Sequence, residues 1–321
     1  MTLQQQIRSN RWRTGLLFVL FAVLMAIVLG AASLAVDLPL LIVIGIGLIA
    51  YGIFTWFAAG SMVAALAGAH PITRDQYPEL WQAVEAAAVG AGLPVTPKVY
   101  VIDDPAPNAF AAGRNPQTSY VAATTGLLAV MNPRELRAVM AHEIAHVRNR
   151  DIRTMALAAV LVGVLLILSD ILLRVTLWGG GRENSNPFAV VGLIVALVLA
   201  PIGAMMMQMA LSRRREYQAD ATAAEITGDA EGMAMALAVL EADTRQVRHV
   251  DRATAHLYIE SPLVKGRGLT GSLGGLFQTH PALDKRIAAL EEAGGFTLDR
   301  AAATADLPPE ATAPQPDEYG E

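Results

Sequence analysis

The chain has 321 residues, room for two domain-sized units, yet 54% of them are hydrophobic and only 17% charged; that is too apolar for an ordinary soluble enzyme and implies a membrane protein. Cysteine is absent, which excludes disulfides and thiolate metal ligands, so any metal must be held by His, Asp or Glu. The net charge of −5 resides in residues 297–321, where Asp299, Asp306, Glu310, Asp317, Glu318 and Glu321 stand against Arg300 alone; the rest is neutral overall and gives no reason to expect a nucleic-acid partner.

Residues 1–14 are polar, with Arg8, Arg11 and Arg13, and are followed by an uncharged apolar run over 15–36, the length of a transmembrane helix. A second span, about 40–67, follows after only Asp37-Leu38-Pro39, so the pair reads as a membrane hairpin over 15–67 and not as a cleaved signal peptide. From His70 the character is that of a soluble domain. Leu80, Val84 and Ala87 mark one face of a helix over 77–91. Strands are expected at 98–102, 108–112 and 118–123, with turns at Asp103-Asp104-Pro105-Ala106-Pro107 and Gly113-Arg114-Asn115-Pro116.

The next element carries the chemistry. Asn132 suits an N-cap, Pro133 the first helical position, and Glu135 the place from which a capping-box acid reaches back. The helix that starts there contains Ala141-His142-Glu143-Ile144-Ala145-His146. Two histidines four apart stack on one helical face and can offer ring nitrogens to one metal ion. Glu143, one position round, takes a carboxylate to a water activated by that metal, where a general base is needed.

A third apolar run spans about 154–178 and is interrupted by Asp170 and Arg174, which are expected to pair near the far interface or to mark a polar site. A polar turn over 179–187 leads to a fourth span at 188–211, and Arg213, Arg214 and Arg215 follow as anchors at the headgroups. Arginine also clusters before spans one and three, while the opposite loops carry only Arg182. By the positive-inside rule, both termini and the metal helix are cytoplasmic. Residues 213–293 resume soluble character, with helices over about 216–243 and 282–293 and a glycine-rich connection at 266–275.

A catalytic zinc needs a third protein ligand and one open position. Glu216 directly follows the second hairpin, which returns the chain to the membrane face that it left after the metal helix, and is the best candidate. Asp220, one helical turn on, could orient a ligating histidine. The expected fold is therefore a mainly α membrane protein with four transmembrane helices in two hairpins, plus a cytoplasmic α+β zincin-like catalytic domain with a small sheet. Its parts are a cytoplasmic N-terminus (1–14), hairpin one (15–67), the first part of the catalytic domain (68–152), hairpin two (153–212), the second part (213–296) and an acidic disordered tail (297–321).

These residues resemble those of the HtpX-type membrane zinc metalloproteases, related to the type I CAAX prenyl proteases. The likeness runs from the first span to about residue 293. It rests on Asn108-Ala109-Phe110-Ala111 with Gly113-Arg114-Asn115-Pro116, Thr124-Thr125-Gly126-Leu127-Leu128, the segment from His142 to His146, Arg215-Glu216-Tyr217 with Ala219-Asp220, and Thr279-His280-Pro281. The resemblance implies one Zn2+ per chain held by His142, His146 and Glu216, with Glu143 as catalytic base. It also implies a multi-pass protein of a bacterial inner membrane that cleaves membrane proteins in quality control, so its partners are protein substrates and the lipid bilayer. Two further roles follow from position. Asn108 and Phe110 lie on a strand that could pair with extended substrate, and His280, before Pro281, occupies a cap-like position from which it could donate to a transition-state oxyanion. Intramembrane proteolysis is disfavoured by Arg148, Asn149, Arg150 and Asp151 directly after the motif, and the intact ligand set argues against a silent scaffold or transporter.

Overall fold

The computed structural model describes residues 38–178, 215–245 and 281–312, with scattered helical positions between 19 and 33. The expected first and fourth spans lie wholly or largely outside these residues, as do the 179–187 turn, the glycine-rich connection and His280. The chain divides into two compact units, one from Met1–Ala58 with Met155–Leu211, the other from Ala59–Thr154 with Ser212–Glu321.

Among the described residues, the first unit holds most of two long helices, α1 (Leu38–Leu66) and α5 (Asp151–Trp178), whose remaining residues belong to the second unit. Leu38–Ala58 is the one stretch among the described residues that is long and apolar enough to cross a membrane. Ile42, Val43, Ile46, Ile49, Ile53 and Phe57 each leave more than half of their surface uncovered, an outward face that suits hydrocarbon and not water. Small residues bring the helices together: Gly52 faces Val160 and Val164, and a Cβ on Gly163 would come 3.2 Å from the Tyr51 hydroxyl. Asp170 and Arg174 pair along α5, with Arg174 Nε donating to Asp170 Oδ2 over 2.7 Å.

The second unit holds a four-stranded sheet in the order β1-β2-β4-β3, where β1 is His70–Pro71, β2 Lys98–Ile102, β3 Ala109–Ala112 and β4 Tyr120–Thr124. β2 and β4 are parallel, with Val101 opposite Ala123, while β1 and β3 pair antiparallel on either side. Side-chain alternation divides the sheet between two cores. Val99, Val101, Ala109, Ala111, Val121 and Ala123 face the main core beneath the helices. Ile102, Phe110, Ala112, Tyr120 and Ala122 turn the other way, onto Ala64 and Ala67 at the end of α1. Tyr120 adds a hydrogen bond, its hydroxyl donating to the Gly60 carbonyl at 2.9 Å.

Among the described residues, the helices of this unit are α2 (Pro78–Gly90), α3 (Thr125–Val130), α4 (Pro133–Arg148), α6 (residues 215–227), α7 (Ala230–Ala242), α8 (Leu283–Gly294), α9 (Arg300–Ala303) and α10 (Pro309–Thr312). α4 lies at the centre, packed against α2, α7 and β3, and α8 packs on α7.

Three expectations are corrected here. The helix expected over 216–243 is two helices, broken where Gly228 turns left-handed at φ 67° and Asp229 caps α7 by accepting from the Gly232 N–H. The third strand begins at Tyr120 and not at Thr118, because Pro116–Thr118 forms a 3-10 turn capped by Asn115. The acidic tail expected to be disordered is ordered through residue 312. Leu298 and Leu307 pack on the main core, Arg300 pairs with Glu241 at 2.8 Å, and the Ala311 carbonyl accepts from the Thr244 N–H at 2.7 Å. Its few apolar residues suffice because they add to an existing core and need not build one.

Candidate metal centre

The metal helix starts as its first residues dictate. Asn132 Oδ1 accepts from the N–H groups of Arg134 and Glu135, and Glu135 Oε2 accepts in return from the Asn132 N–H at 2.9 Å. With its entry fixed by this reciprocal cap, α4 buries His142, Glu143 and His146 in the middle of the unit.

Helix α6 then comes alongside. Ala219 and Ala223 are fully buried and leave room for close approach, while Arg148 reaches Glu225 at 3.2 Å and Asn149 Nδ2 donates to Thr222 at 3.4 Å. The result is a convergence of three potential ligands. His142 Nε2 and His146 Nε2 stand 3.3 Å apart, Glu216 Oε2 is 3.6 Å from the first, and Glu216 Oε1 is 3.8 Å from the second. Donors at about 2.0–2.1 Å from a tetrahedral Zn2+ stand about 3.3 Å apart, so shifts of about half an ångström or less would close the three on one ion. The residues brought together are the three expected as ligands, and all are buried.

The electrostatics suit a cation. Burial disfavours charge on His142, but its hydrogen bonds with Asp220 and Glu216 outweigh that and push its pKa up to about 9. Burial likewise opposes charge on His146, and Asp151 overcomes it and raises the pKa. A site that draws protons onto buried imidazoles draws a dication for the same reason. Burial pushes the Glu143 carboxyl up, the direction required of a base poised to take and return a proton.

Asp220, expected to orient a ligating histidine, accepts from His142 Nδ1 at 2.9 Å. Arg286, on α8, was not legible as a site residue, and it is central. It grips Asp220 with two hydrogen bonds, Nη2 to Oδ1 at 2.6 Å and Nε to Oδ2 at 2.8 Å, and its Nη1 is 3.3 Å from Glu216 Oε2. Desolvation alone would raise the Asp220 carboxyl, yet this guanidinium holds it below the usual range. The clue was present: Arg286 falls on the face defined by Leu283, Ile287 and Leu290, where an arginine is out of place unless it is paired. Arg215, expected at the headgroups, is buried beside Asp151 and Glu216.

Asn108 and Phe110 offer no side-chain surface to a substrate, since both are buried. The Asn108 side chain accepts from the Ala109 N–H, its own N–H donates to Thr124 Oγ1, and Phe110 fills the second core. Contact with substrate would fall to the backbone of β3, an outer strand of the sheet that packs against α4.

The pattern of peptidase family M48 matches residues 74–294. A protease HtpX homolog of Tropheryma whipplei (strain Twist) is 42% identical over 245 residues, which is 76% of this chain and 82% of that protein. Homologs of Limosilactobacillus fermentum (strain NBRC 3956 / LMG 18251) and Streptococcus gordonii (strain Challis) are 42% and 39% identical, each over 90% of this chain and 99% of the relative. The crystal structure of S. mikatae Ste24p superposes with a TM-score of 0.51 at 19% identity, covering 90% of this chain and 67% of that one, which shows a shared fold. With a family pattern over more than half of its length and HtpX relatives alike over nine-tenths of it, this chain belongs to peptidase family M48, as an HtpX-type metallopeptidase.

Proposed function

We propose that this membrane metalloprotease is a zinc-dependent endopeptidase that cleaves membrane proteins on the cytoplasmic side of a bacterial inner membrane, in membrane-protein quality control. The observation that carries the reading is the convergence of His142, His146 and Glu216 donor atoms beside Glu143, in a buried site whose carboxylates favour a cation. An all His and carboxylate donor set without thiolate suits a hydrolytic Zn2+, one per chain. When bound, zinc supplies Lewis acidity to the scissile carbonyl and to the attacking water.

The chain's own residues do the rest. Glu143 accepts the proton of the attacking water on a carboxylate oxygen and delivers it to the leaving amine nitrogen. Asp220, held by Arg286, keeps the His142 proton on Nδ1. The backbone of β3 lays the substrate out as an added strand, and His280 donates to the developing oxyanion. Four membrane spans in two hairpins place the site at the cytoplasmic surface, where Arg148, Arg150 and Arg153 follow the metal helix.

Glu143→Gln tests the reading. The amide keeps size and hydrogen bonding but cannot take the proton, so the variant retains zinc and loses about 10²–10⁴ in rate. Proteomic comparison of membranes carrying the wild type and Glu143→Gln should reveal proteins that accumulate only with the variant. Near wild-type cleavage by Glu143→Gln would remove Glu143 from the mechanism.

A further inference from the structure

The two histidines of the metal helix are each held from behind by a carboxylate. His142 Nδ1 meets Asp220 at 2.9 Å, and Asp220 is gripped by Arg286. His146 Nδ1 meets Asp151 Oδ2 at 3.1 Å, and Asp151 Oδ1 lies 3.6 Å from Arg215 Nε. Both carboxylates and both guanidinium groups are buried. Each arm thus reads histidine, aspartate, arginine, and each arginine is also tied to the Glu216 position: Arg286 by a 3.3 Å approach to its carboxylate, Arg215 by being the preceding residue.

The second arm exists because of a break in the backbone. On a continuous helix Asp151, five residues after His146, would point about 140° away from it. Instead α4 stops at Arg148, Asn149 closes its last turn, and Arg150 turns left-handed at φ 62°, the sole non-glycine residue with positive φ among the described residues. The chain then restarts as α5 with Asp151 as its first residue and the carboxylate folded back beneath His146. A left-handed arginine is an unfavourable conformation that persists only where the surroundings impose it.

We infer that Asp151 is a positioning residue for the metal: it holds the His146 proton on Nδ1 so that Nε2 faces the ion, and Arg215 holds Asp151 in turn. The inference rests on the zinc reading above and extends it to a residue contributed by the start of the membrane-directed helix α5. A merely structural Asp151, an acid at a helix N-terminus, would stabilise the fold without affecting how tightly metal is held.

The test uses the full-length protein in detergent. Zinc affinity is measured by competition with a chelator for the wild type, Asp151→Asn and Asp151→Ala, together with unfolding of the metal-free proteins. Asp151→Ala should bind zinc about 10- to 100-fold more weakly, and Asp151→Asn should fall between, because the amide oxygen still accepts from Nδ1 but lacks the charge. The same order should be seen in the visible absorption of Co2+ bound in place of zinc, as the donor set loosens. Wild-type zinc affinity in Asp151→Ala overturns the inference. Should that variant fail to fold, Asp151→Asn decides alone, and wild-type affinity in it has the same force. A wild type that binds no zinc would instead overturn the zinc reading itself.

Discussion

Arg286 carries its charge with 0% of its surface exposed, and Asp220 and Glu216 beside it are almost as deeply buried. Two carboxylates left without that guanidinium would be uncompensated charges in a low-dielectric interior. Removal of one partner from a buried ion pair costs about 3–5 kcal/mol, so Arg286→Ala should lower the unfolding free energy by about that amount and release zinc. Arg286→Lys separates the two effects. It returns the charge but not the two-pronged grip on Asp220, so it should recover most of the stability while zinc binding stays weaker than wild type. Denaturant unfolding and zinc content of both variants check this. Full zinc binding by Arg286→Lys would show that charge alone, and not the orientation of Asp220, is what the metal site needs.

The elements around the site are held by close approaches that explain why particular motif residues stand where they do. Gly126, in the Thr124-Thr125-Gly126 segment, donates its N–H to the Asp104 carbonyl at 2.9 Å. A Cβ on it would lie 2.0 Å from the Pro105 carbonyl oxygen, inside any permitted contact. Thr124 closes the same turn by accepting from the Leu127 N–H and donating to the Ala106 carbonyl. Gly126→Ala must therefore push the 103–107 loop away from β4, with a loss of at least about 1–3 kcal/mol. Gly45→Ala on α1, where a Cβ meets nothing within 4 Å, is the matched control and should be neutral. Proteolytic sensitivity of the second unit distinguishes them, and a Gly126→Ala protein as resistant as the control would contradict the packing argument.

For the whole molecule, the proposed direction in which the chain crosses the membrane rests on arginine placement in the sequence: Arg8, Arg11, Arg13, Arg148, Arg150 and Arg153 flank the first and third apolar runs, and Arg182 alone falls in the segment proposed for the opposite side. The native chain has no cysteine, so single cysteines report cleanly. Asp75→Cys, at an exposed position of the second unit, should resist an impermeant thiol reagent in intact cells and react after lysis. Asn184→Cys, in the polar stretch of sequence between the third and fourth apolar runs, should react in both. Labelling of position 75 in intact cells would reverse the orientation.

Much of this protein is determined locally and can be read from the chain itself. The cap and start of the metal helix, the pairing of Asp170 with Arg174 and the long apolar helices follow from neighbours within a few residues of each other. Helical spacing alone sets His142 and His146 on one face, and its place just after the fourth apolar run singles out Glu216. The supporting groups are different in kind. Arg286 is 66 residues from the Asp220 that it holds, as the hydrogen-bonded pair records. Arg215 reads as a membrane anchor until α6 docks on α4 and buries it, and Phe110 reads as a substrate contact until the sheet's second face is covered by the end of α1. Asp151 reaches His146 only through the left-handed turn at Arg150, which no local preference of arginine predicts. Periodicity and capping are short-range effects that write themselves into the order of residues. The partner of a buried charge is chosen by which helices meet, and that is decided only when the whole core closes.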